Sequence, residues 1–301
     1  MTPDSEGVAM KIYEIDNGII SIAVREKGAE LASIKKDGKE YLWNAAPSVW
    51  NRSAPQLFPI VGTLTDNEYV YRGKTYGMTR HGFARDSMFT LSDKTGTDIC
   101  FTLRDTKETL EVYPFPFLFE VEYKLRNNVL TNVWRITNTG DKTMYFSVGG
   151  HPAFMCPVSG GKITDCSLAF AGKDPVSKIR CETINTDGLL QSRSDTYELS
   201  NGIVRISDDM FSHDVLILEN SGVHSISLLD KSEKAWLRVD FDTDIVGLWS
   251  PQEKGAPFLC IEPWYGRCDR ENFKGELNDR EWGNTLERGE KFEKSFTVTL
   301  L

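Results

Sequence analysis

The sequence has little of what marks several common classes of protein. Of its 301 residues only four are histidine and six are cysteine, and the cysteines, at positions 100, 156, 166, 181, 260 and 268, show no CxxC spacing of the kind found in zinc and redox motifs. Neither a GxGxxG fingerprint before a helix nor a P-loop occurs, so no nucleotide cofactor is expected. The scattered cysteines are interpreted as reduced, buried thiols.

Long apolar runs and an excess of positive charge are also missing. No apolar stretch approaches the roughly 20 residues needed to span a bilayer, and no secretory signal opens the chain. Acidic residues outnumber basic ones 44 to 35, which gives a net charge of −9 and a pI near 5.1. That charge disfavours binding to nucleic acid or to an anionic membrane. We therefore expect a cytoplasmic protein whose partner is a small molecule.

The sequence also lacks the apolar periodicity of an amphipathic helix, and apolar and polar residues alternate strictly instead. In Phe117–Arg126 every second residue from Phe117 to Leu125 is apolar, and Val129–Asn138 continues the alternation after a turn at Asn127 and Asn128. These two segments predict a β-hairpin. Similar alternation occurs at residues 235–241 and 292–300. Shorter strand candidates lie at residues 19–24, 69–72, 88–91, 99–103, 144–148, 203–206, 215–218, 223–229 and 245–249.

So many strands joined by polar turns predict an all-β fold, a large antiparallel β-sandwich. Because sandwiches of this size commonly form one domain, we expect a single domain over residues 10–301. Residues 1–9 are polar and unpatterned and are interpreted as a disordered tail or an added segment. Residues 157–200 are the least regular part of the chain, rich in Ser, Asp and Gly, and are expected to contain long loops at the rim of the sandwich.

One histidine lies in a stretch that restricts its backbone. Residues 146–154, FSVGGHPAF, place His151 directly after two glycines and before Pro152. Glycine tolerates a positive φ and the close approach of a ligand, whereas proline restricts the residue before it to extended conformations. A sharp backbone turn is therefore expected here, with the ring of His151 held in one direction. Such a ring suits a catalyst, although a lone histidine is more often structural.

Two further motifs contain residues that could act with His151. Residues 80–85, RHGFAR, contain His81, and residues 260–266, CIEPWYG, place Glu262 after the apolar run PFLCI, which is typical of a buried strand. A carboxylate beside Trp264 and Tyr265 is costly to desolvate unless it is paired or used in chemistry. Two imidazoles and a carboxylate suit proton transfer near neutral pH, and the aromatic rings suit stacking on the apolar face of a sugar.

The motifs HGFAR, GGHPAF and CIEPW, in this order and over nearly the whole chain, resemble the aldose 1-epimerase (galactose mutarotase) family, in particular its LacX-like branch. The resemblance implies a supersandwich of two stacked sheets with a sugar cleft on one concave face. It also implies an isomerase that interconverts the α and β anomers of an aldohexose without a cofactor. Carried over by motif, Glu262 is the base at the C1 hydroxyl, His151 is the acid at the ring oxygen, and His81 hydrogen-bonds near the ring oxygen.

The resemblance further implies three substrate-binding residues. Arg52 is similar to a basic residue that reaches the sugar or its phosphate, although a surface arginine is an equal alternative. Asp214 resembles a carboxylate that binds sugar hydroxyls, with a register left open by one residue because His213 precedes it. An aromatic ring such as Trp264 or Tyr265 is expected on the cleft wall, with Trp264 as the candidate for binding the substrate. Thr63 departs from the family pattern, since members of the branch often read VGR where this chain reads VGT, which puts one sugar-contacting arginine in doubt.

Two alternatives to a mutarotase for free aldohexoses stay open. A hexose 6-phosphate mutarotase would need a cationic phosphate pocket, for which Arg52 is the first candidate. A non-catalytic sugar-binding module would need no matched acid and base. A zinc site built from His81, His151 and Glu262 is set aside, because these residues lack the i, i+4 pairing of helix-borne sites, and no metal is expected.

Overall fold

The computed structural model describes residues 11–251 and 255–301, so the predicted tail over residues 1–9 lies outside the described residues. Within them the chain forms 25 strands and one short α-helix, α1 (Lys107–Val112). Short 3-10 helices lie at Thr65–Asn67, Ala84–Asp86, Ile163–Asp165 and Leu277–Asp279. No helix in this part of the chain is long and apolar enough to cross a bilayer.

The strands are β1 (Ile12–Asp16), β2 (Ile20–Arg25), β3 (Leu31–Lys36), β4 (Lys39–Glu40), β5 (Gln56–Leu57), β6 (Glu68–Tyr71), β7 (Lys74–Gly77), β8 (Thr90–Lys94), β9 (Asp98–Arg104), β10 (Phe117–Arg126), β11 (Val129–Asn138), β12 (Met144–Phe146), β13 (Val148–Gly150), β14 (Ala153–Met155), β15 (Ser167–Gly172), β16 (Lys178–Ile184), β17 (Leu190–Glu198), β18 (Ile203–Arg205), β19 (Leu216–Glu219), β20 (Val223–Leu229), β21 (Ala235–Phe241), β22 (Ile245–Trp249), β23 (Phe258–Tyr265), β24 (Asn284–Leu286) and β25 (Lys291–Leu300).

Two large antiparallel sheets make up most of the fold. The nine-stranded sheet has the order β18-β15-β20-β21-β25-β11-β10-β9-β8. The eight-stranded sheet has the order β17-β16-β19-β22-β23-β13-β5, and β14 also pairs with β23. Smaller sheets are formed by β1 to β4, by β6 with β7, and by β12 with β24. The prediction of a large antiparallel β-sandwich is confirmed.

The predicted hairpin is present and supplies one wall of the main core. Strands β10 and β11 pair along their whole length, and Asn127 adopts a φ of 53° in the turn between them. Alternate side chains of β10 are buried, as the sequence pattern predicts. Phe119 and Val121 from β10 share one hydrophobic cluster with Leu259 and Ile261 from β23. The two large sheets therefore pack face to face.

Loops occupy less of residues 157–200 than expected, because only residues 157–166 form a long stretch without a strand. The rest contains β15, β16 and β17, which extend both large sheets. β17 ends the eight-stranded sheet, and most of its side chains are exposed or half-buried. A strand at a sheet edge needs no regular apolar face, because neither of its faces has to be covered completely. Its polar sequence therefore resembled that of a loop.

Strand β23 is buried on both of its faces, which sets the position of the functional residues. Leu259 and Ile261 point into the main core, whereas Cys260 and Trp264 belong to two smaller clusters on the other face. Glu262 lies between Cys260 and Trp264 on that same face, and it pairs in register with Gly247 of β22. The strand thus continues past Glu262 instead of ending there, and the backbone of Glu262 is held by its pairing with β22.

Candidate active site

A cavity of about 240 Å³ opens on the face of the eight-stranded sheet that is turned away from the main core. This volume lies just below the range of roughly 300–1,000 Å³ that is usual for drug-sized ligands, so it suits a small molecule. The cavity brings together three residues that are far apart in the sequence, His81, His151 and Glu262. Its lining is made of Trp50, Arg80, His81, Arg85, His151, Asp214, Val215, Trp249, Glu262 and Trp264.

The central feature of the cavity is a buried pair of a carboxyl and an imidazole. Nε2 of His151 lies 3.3 Å from Oε2 of Glu262, and the glutamate is only 1% exposed. His151 follows β13, and its backbone N–H donates to the carbonyl of Pro55. In the described part of the chain neither carboxylate oxygen of Glu262 has a hydrogen bond of good geometry. The indole of Trp264 interacts with the carboxyl outside ideal geometry and opposes the rise of its pKa, and the oxygens can still accept a hydrogen bond from a ligand.

Burial shifts both groups of this pair toward their neutral forms. It raises the pKa of Glu262 well above its usual range, with Asp214 adding to the rise and Arg80 opposing it. It lowers the pKa of His151 to about 3, and the positive charge of Arg80 acts in the same direction. Both shifts favour a protonated carboxyl on Glu262 and an unprotonated imidazole on His151, a pair that holds one transferable proton. A carboxylate beside an imidazolium would contain the same number of protons.

His81 presents a defined N–H to the cavity. Both His81 and Gly82 adopt a left-handed backbone, with φ of 68° and 70°, in the turn that follows residue 80. The backbone N–H of Gly62 donates to Nδ1 of His81 at 3.1 Å, so the proton of the neutral ring lies on Nε2. Burial lowers the pKa of His81 well below its usual range, and the charge of Arg80 lowers it further. The ring is therefore a neutral hydrogen-bond donor.

The two glycines before His151 serve close packing and do not form the expected sharp turn. Gly149 lies in β13, where an added Cβ would come within 2.6 Å of Cδ1 of Trp264. An added Cβ on Gly247 of β22 would come within 2.7 Å of the same ring. The indole of Trp264 therefore packs directly on the backbones of the two strands that flank β23, beside Glu262.

The whole chain agrees with one known family. Residues 11–299 match the family model described as aldose 1-epimerase. The chain belongs to the aldose 1-epimerase family. It is 33% identical over 299 residues to the chromosomal protein LacX of Lactococcus lactis subsp. lactis, an alignment that covers 96% of this chain and 99% of LacX. Membership supports an isomerase of the mutarotase type.

Solved structures of similar proteins agree with this assignment. A galactose mutarotase related enzyme from Lactobacillus acidophilus is 35% identical and superposes with a TM-score of 0.87, covering 97% of both chains. A galactose mutarotase-like protein from Lactobacillus casei ATCC 334 is 29% identical, with a TM-score of 0.88, and the match covers 97% of this chain and 100% of that one.

In this member of the aldose 1-epimerase family the cavity wall contains more aromatic residues than the sequence indicated. Trp264 lines the cavity as expected, whereas Tyr265 points to the other face of the sheet and donates its hydroxyl to the carbonyl of Asp242 at 2.6 Å. The rings of Trp50 and Trp249 lie 4.9 and 5.6 Å from the ring of His151. Both tryptophans were missed.

Strand register contains the signal that would have found Trp249. Trp249 pairs with Cys260, and Gly247 pairs with Glu262 two residues away. The side chains of Trp249 and Glu262 therefore lie on the same face of the sheet. Trp50 lies in an irregular segment before β5, and its carbonyl accepts a hydrogen bond from the indole of Trp43 at 2.8 Å. Sequence alternation does not reveal a position of that kind.

The two predicted polar substrate residues of this family member differ in their surroundings. Asp214 lines the cavity and contacts Nη2 of Arg80 at 3.4 Å, while His213 turns toward Asp195. Of the two neighbouring residues, Asp214 is thus the one whose side chain faces the cavity. Arg52 instead donates to both carboxylate oxygens of Asp86, at 2.9 and 3.2 Å. The guanidinium that was the first candidate for a phosphate pocket is therefore already paired with a carboxylate.

Two other arginines line the cavity where Arg52 was expected. Arg80 and Arg85 both have a buried Nε that lacks a hydrogen-bond partner among the described residues. Burial lowers the pKa of Arg85 to about 10, and the nearby charge of Arg52 contributes. Thr63, the departure from the branch pattern, is buried, and an added Cβ on Gly188 would lie 2.5 Å from its hydroxyl. The loop at Gly188 thus occupies the space above Thr63.

Proposed function

We propose that this protein is a mutarotase that interconverts the α and β anomers of an aldohexose by acid/base ring opening. The proposal rests mainly on the buried pair of Glu262 and His151, 3.3 Å apart and facing a cavity that suits a small molecule. The C1 hydroxyl oxygen and the ring oxygen of a pyranose are bonded to the same carbon, so the base and acid that serve them have to be close neighbours.

The shared proton of the pair suits this reaction. Sugar hydroxyls entering the cavity supply hydrogen bonds that stabilise the carboxylate of Glu262, and the charge of Arg80 acts in the same direction. The proton then passes to His151. Glu262 takes the proton of the C1 hydroxyl while His151 gives its proton to the ring oxygen, so the bond between C1 and the ring oxygen breaks and a free aldehyde forms.

Rotation about the bond between C1 and C2, followed by the reverse proton transfers, closes the ring as the other anomer. The Nε2–H of His81 stabilises the charge that develops on the ring oxygen. Only protons are moved, so the reaction needs no redox cofactor. All six cysteines lack a disulfide partner, which fits a reducing compartment, and we place the reaction in the cytoplasm.

A non-catalytic sugar-binding module is a weaker explanation of the same site. Burying two titratable groups without aligned hydrogen bonds costs free energy, and a binder gains nothing from it. A hexose 6-phosphate substrate is favoured by one observation, the presence at the cavity of Arg80 and Arg85, whose Nε atoms make no hydrogen bond among the described residues. Nε of Arg85 nevertheless lies 3.7 Å from a carboxylate oxygen of Asp86. Guanidinium groups match phosphate oxygens. Asp214, however, offsets the charge of Arg80.

The experiment that tests the function is a rate measurement of anomer exchange, by magnetisation-transfer NMR, over a panel of free aldohexoses and their 6-phosphates. We expect acceleration with free aldohexoses and at most a moderate effect of Arg52→Ala, because Arg52 contacts Asp86. The second candidate would be established if kcat/KM for a 6-phosphate were at least about tenfold higher than for the free sugar, and if Arg85→Gln removed this preference. Sugar binding without acceleration of any member of the panel would show a binding module.

A further inference from the structure

A thiol that the proposed chemistry does not use lies against the catalytic pair. Cys260 precedes Glu262 by two residues in β23, so both side chains occupy the same face of the sheet, and both are fully buried. The sulfur of Cys260, a ring nitrogen of His151 and a carboxylate oxygen of Glu262 all lie within 4.8 Å of one another. These three atoms are the ligand types that zinc prefers in proteins.

The spacing of the three atoms is close to that of a metal site. Zinc bonds of about 2.3 Å to sulfur and about 2.0–2.2 Å to nitrogen and oxygen, at tetrahedral angles, separate the ligand atoms by roughly 3.3–3.6 Å. His151 and Glu262 are already 3.3 Å apart. The sulfur needs a shift of only about 1 Å to complete the set, which is within the range of a side-chain adjustment.

Charge balance makes the same three residues suitable in a buried place. A thiolate and a carboxylate together offset both charges of a divalent cation, so the filled site would be neutral and avoid the penalty of a buried net charge. Both carboxylate oxygens of Glu262 lack a well-formed hydrogen bond in the described part of the chain. Three protein ligands leave a fourth position open toward the cavity, whereas Mg²⁺ and Ca²⁺ need six or more oxygen ligands.

We propose that Cys260, His151 and Glu262 form a binding site for Zn²⁺ and chemically similar divalent cations, and that the bound ion inhibits the enzyme. Binding sends the thiol proton of Cys260 and the carboxyl proton of Glu262 to solvent. The ion then occupies the lone pairs through which base and acid would act. His81 is not part of this set, because its Nδ1 accepts from Gly62. The inhibition rests on the proposed mutarotase function, whereas the binding does not.

The test is a titration of the full-length chain, first freed of metal with a chelator, against ZnCl₂ in competition with a metal-sensitive dye, without any sugar. We expect one ion per chain. Cys260→Ala should weaken binding at least about 100-fold, since even the loss of a hydrogen bond to a ligand commonly costs 10–100-fold. The matched control is Cys100→Ala, which removes the half-buried thiol and should leave the affinity unchanged.

A spectroscopic measurement keeps the test decisive if Cys260→Ala does not fold. Titration of the Cys100→Ala chain with CoCl₂ should give the sulfur-to-metal charge-transfer absorption of a single thiolate ligand. A spectrum without that absorption, or an unchanged zinc affinity in folded Cys260→Ala, would overturn the site. Stoichiometric zinc that leaves anomer exchange at its metal-free rate would overturn the inhibition. A metal-free enzyme that exchanges no sugar would instead refute the proposed function, and the titration would stand independently.

Discussion

Replacing Glu262 by glutamine separates the free-energy cost of burying this carboxyl from its use in catalysis. Glutamine keeps the shape of the side chain but cannot ionise. Burial raises the pKa of Glu262 well above the value of 4.5 that applies to an unperturbed glutamate. Above pH 4.5 the unfolded chain therefore gives up this proton, while the folded chain keeps it up to a much higher pH. Rising pH should favour unfolding of the wild type.

The sign and size of the effect follow from this difference. For a carboxyl with a raised pKa, the stabilising contribution is complete below the unfolded pKa and is lost as the pH rises toward the folded one. The slope between the two values is about 1.4 kcal/mol per pH unit for one proton. For each pH unit between the unfolded and the folded pKa, Glu262→Gln should therefore gain about 1.4 kcal/mol on the wild type.

The assay is urea unfolding of wild type and Glu262→Gln at pH 5, 6, 7 and 8, with the free energy of unfolding extrapolated to water. Glu14→Gln, which alters an exposed glutamate of β1, is the matched control. Its free energy of unfolding should differ from that of the wild type by the same amount at every pH. His151 contributes a slope of the opposite sign below about pH 6.5, where its lowered pKa makes protonation destabilising, so the step from pH 7 to pH 8 reports Glu262 without this term. A difference between wild type and Glu262→Gln that stays constant from pH 5 to pH 8 would refute the reasoning.

Three further results are expected from other parts of the site. Gly149→Ala should cost about 1–3 kcal/mol of stability in the same urea assay, because its Cβ would meet the Trp264 ring, whereas Gly96→Ala, with no atom within 4 Å of its Cβ, should be nearly neutral. Trp50→Ala should lower kcat/KM by up to about tenfold through loss of its contact with His151, and Trp50→Phe should restore most of it; equal losses in both would exclude stacking as the cause. In a profile of kcat/KM against pH, the acid limb should lie well below 6.5, toward the pKa of about 3 of His151, and a limb near 6.5 would show that the pair does not hold one shared proton.

The strands that the sequence predicted well are those with one covered face. β10 and β11 were assigned to the residue because burial on one side requires apolar and polar residues to alternate. β20 was recognised in the same way, whereas β22, which is buried on both faces, was recognised as a short apolar run. β17 escaped because a strand at the sheet edge with mostly exposed side chains has no such requirement. Alternation therefore reports burial and only indirectly reports strand structure.

The residues of the site also differ in how far the sequence alone could predict them. His81, His151 and Glu262 stand out in the sequence because each lies in a local pattern of glycine, proline or aromatic neighbours. The contact of Cys260 with the pair of His151 and Glu262, and the placement of Trp249, depend instead on which residues of neighbouring strands lie opposite each other. Pairing between strands that are distant in the chain is set by the whole fold, so single segments do not contain this information.

The most direct test of the central claim is to measure the rate at which the Glu262→Gln variant exchanges anomers. The glutamine variant should bind sugar and keep its fold, yet exchange anomers about 10²–10⁴-fold more slowly than the wild type, because an amide cannot accept the proton of the C1 hydroxyl. Glu14→Gln should exchange at the wild-type rate. A folded Glu262→Gln protein that exchanges anomers as fast as the wild type would contradict the assignment of Glu262 as the base.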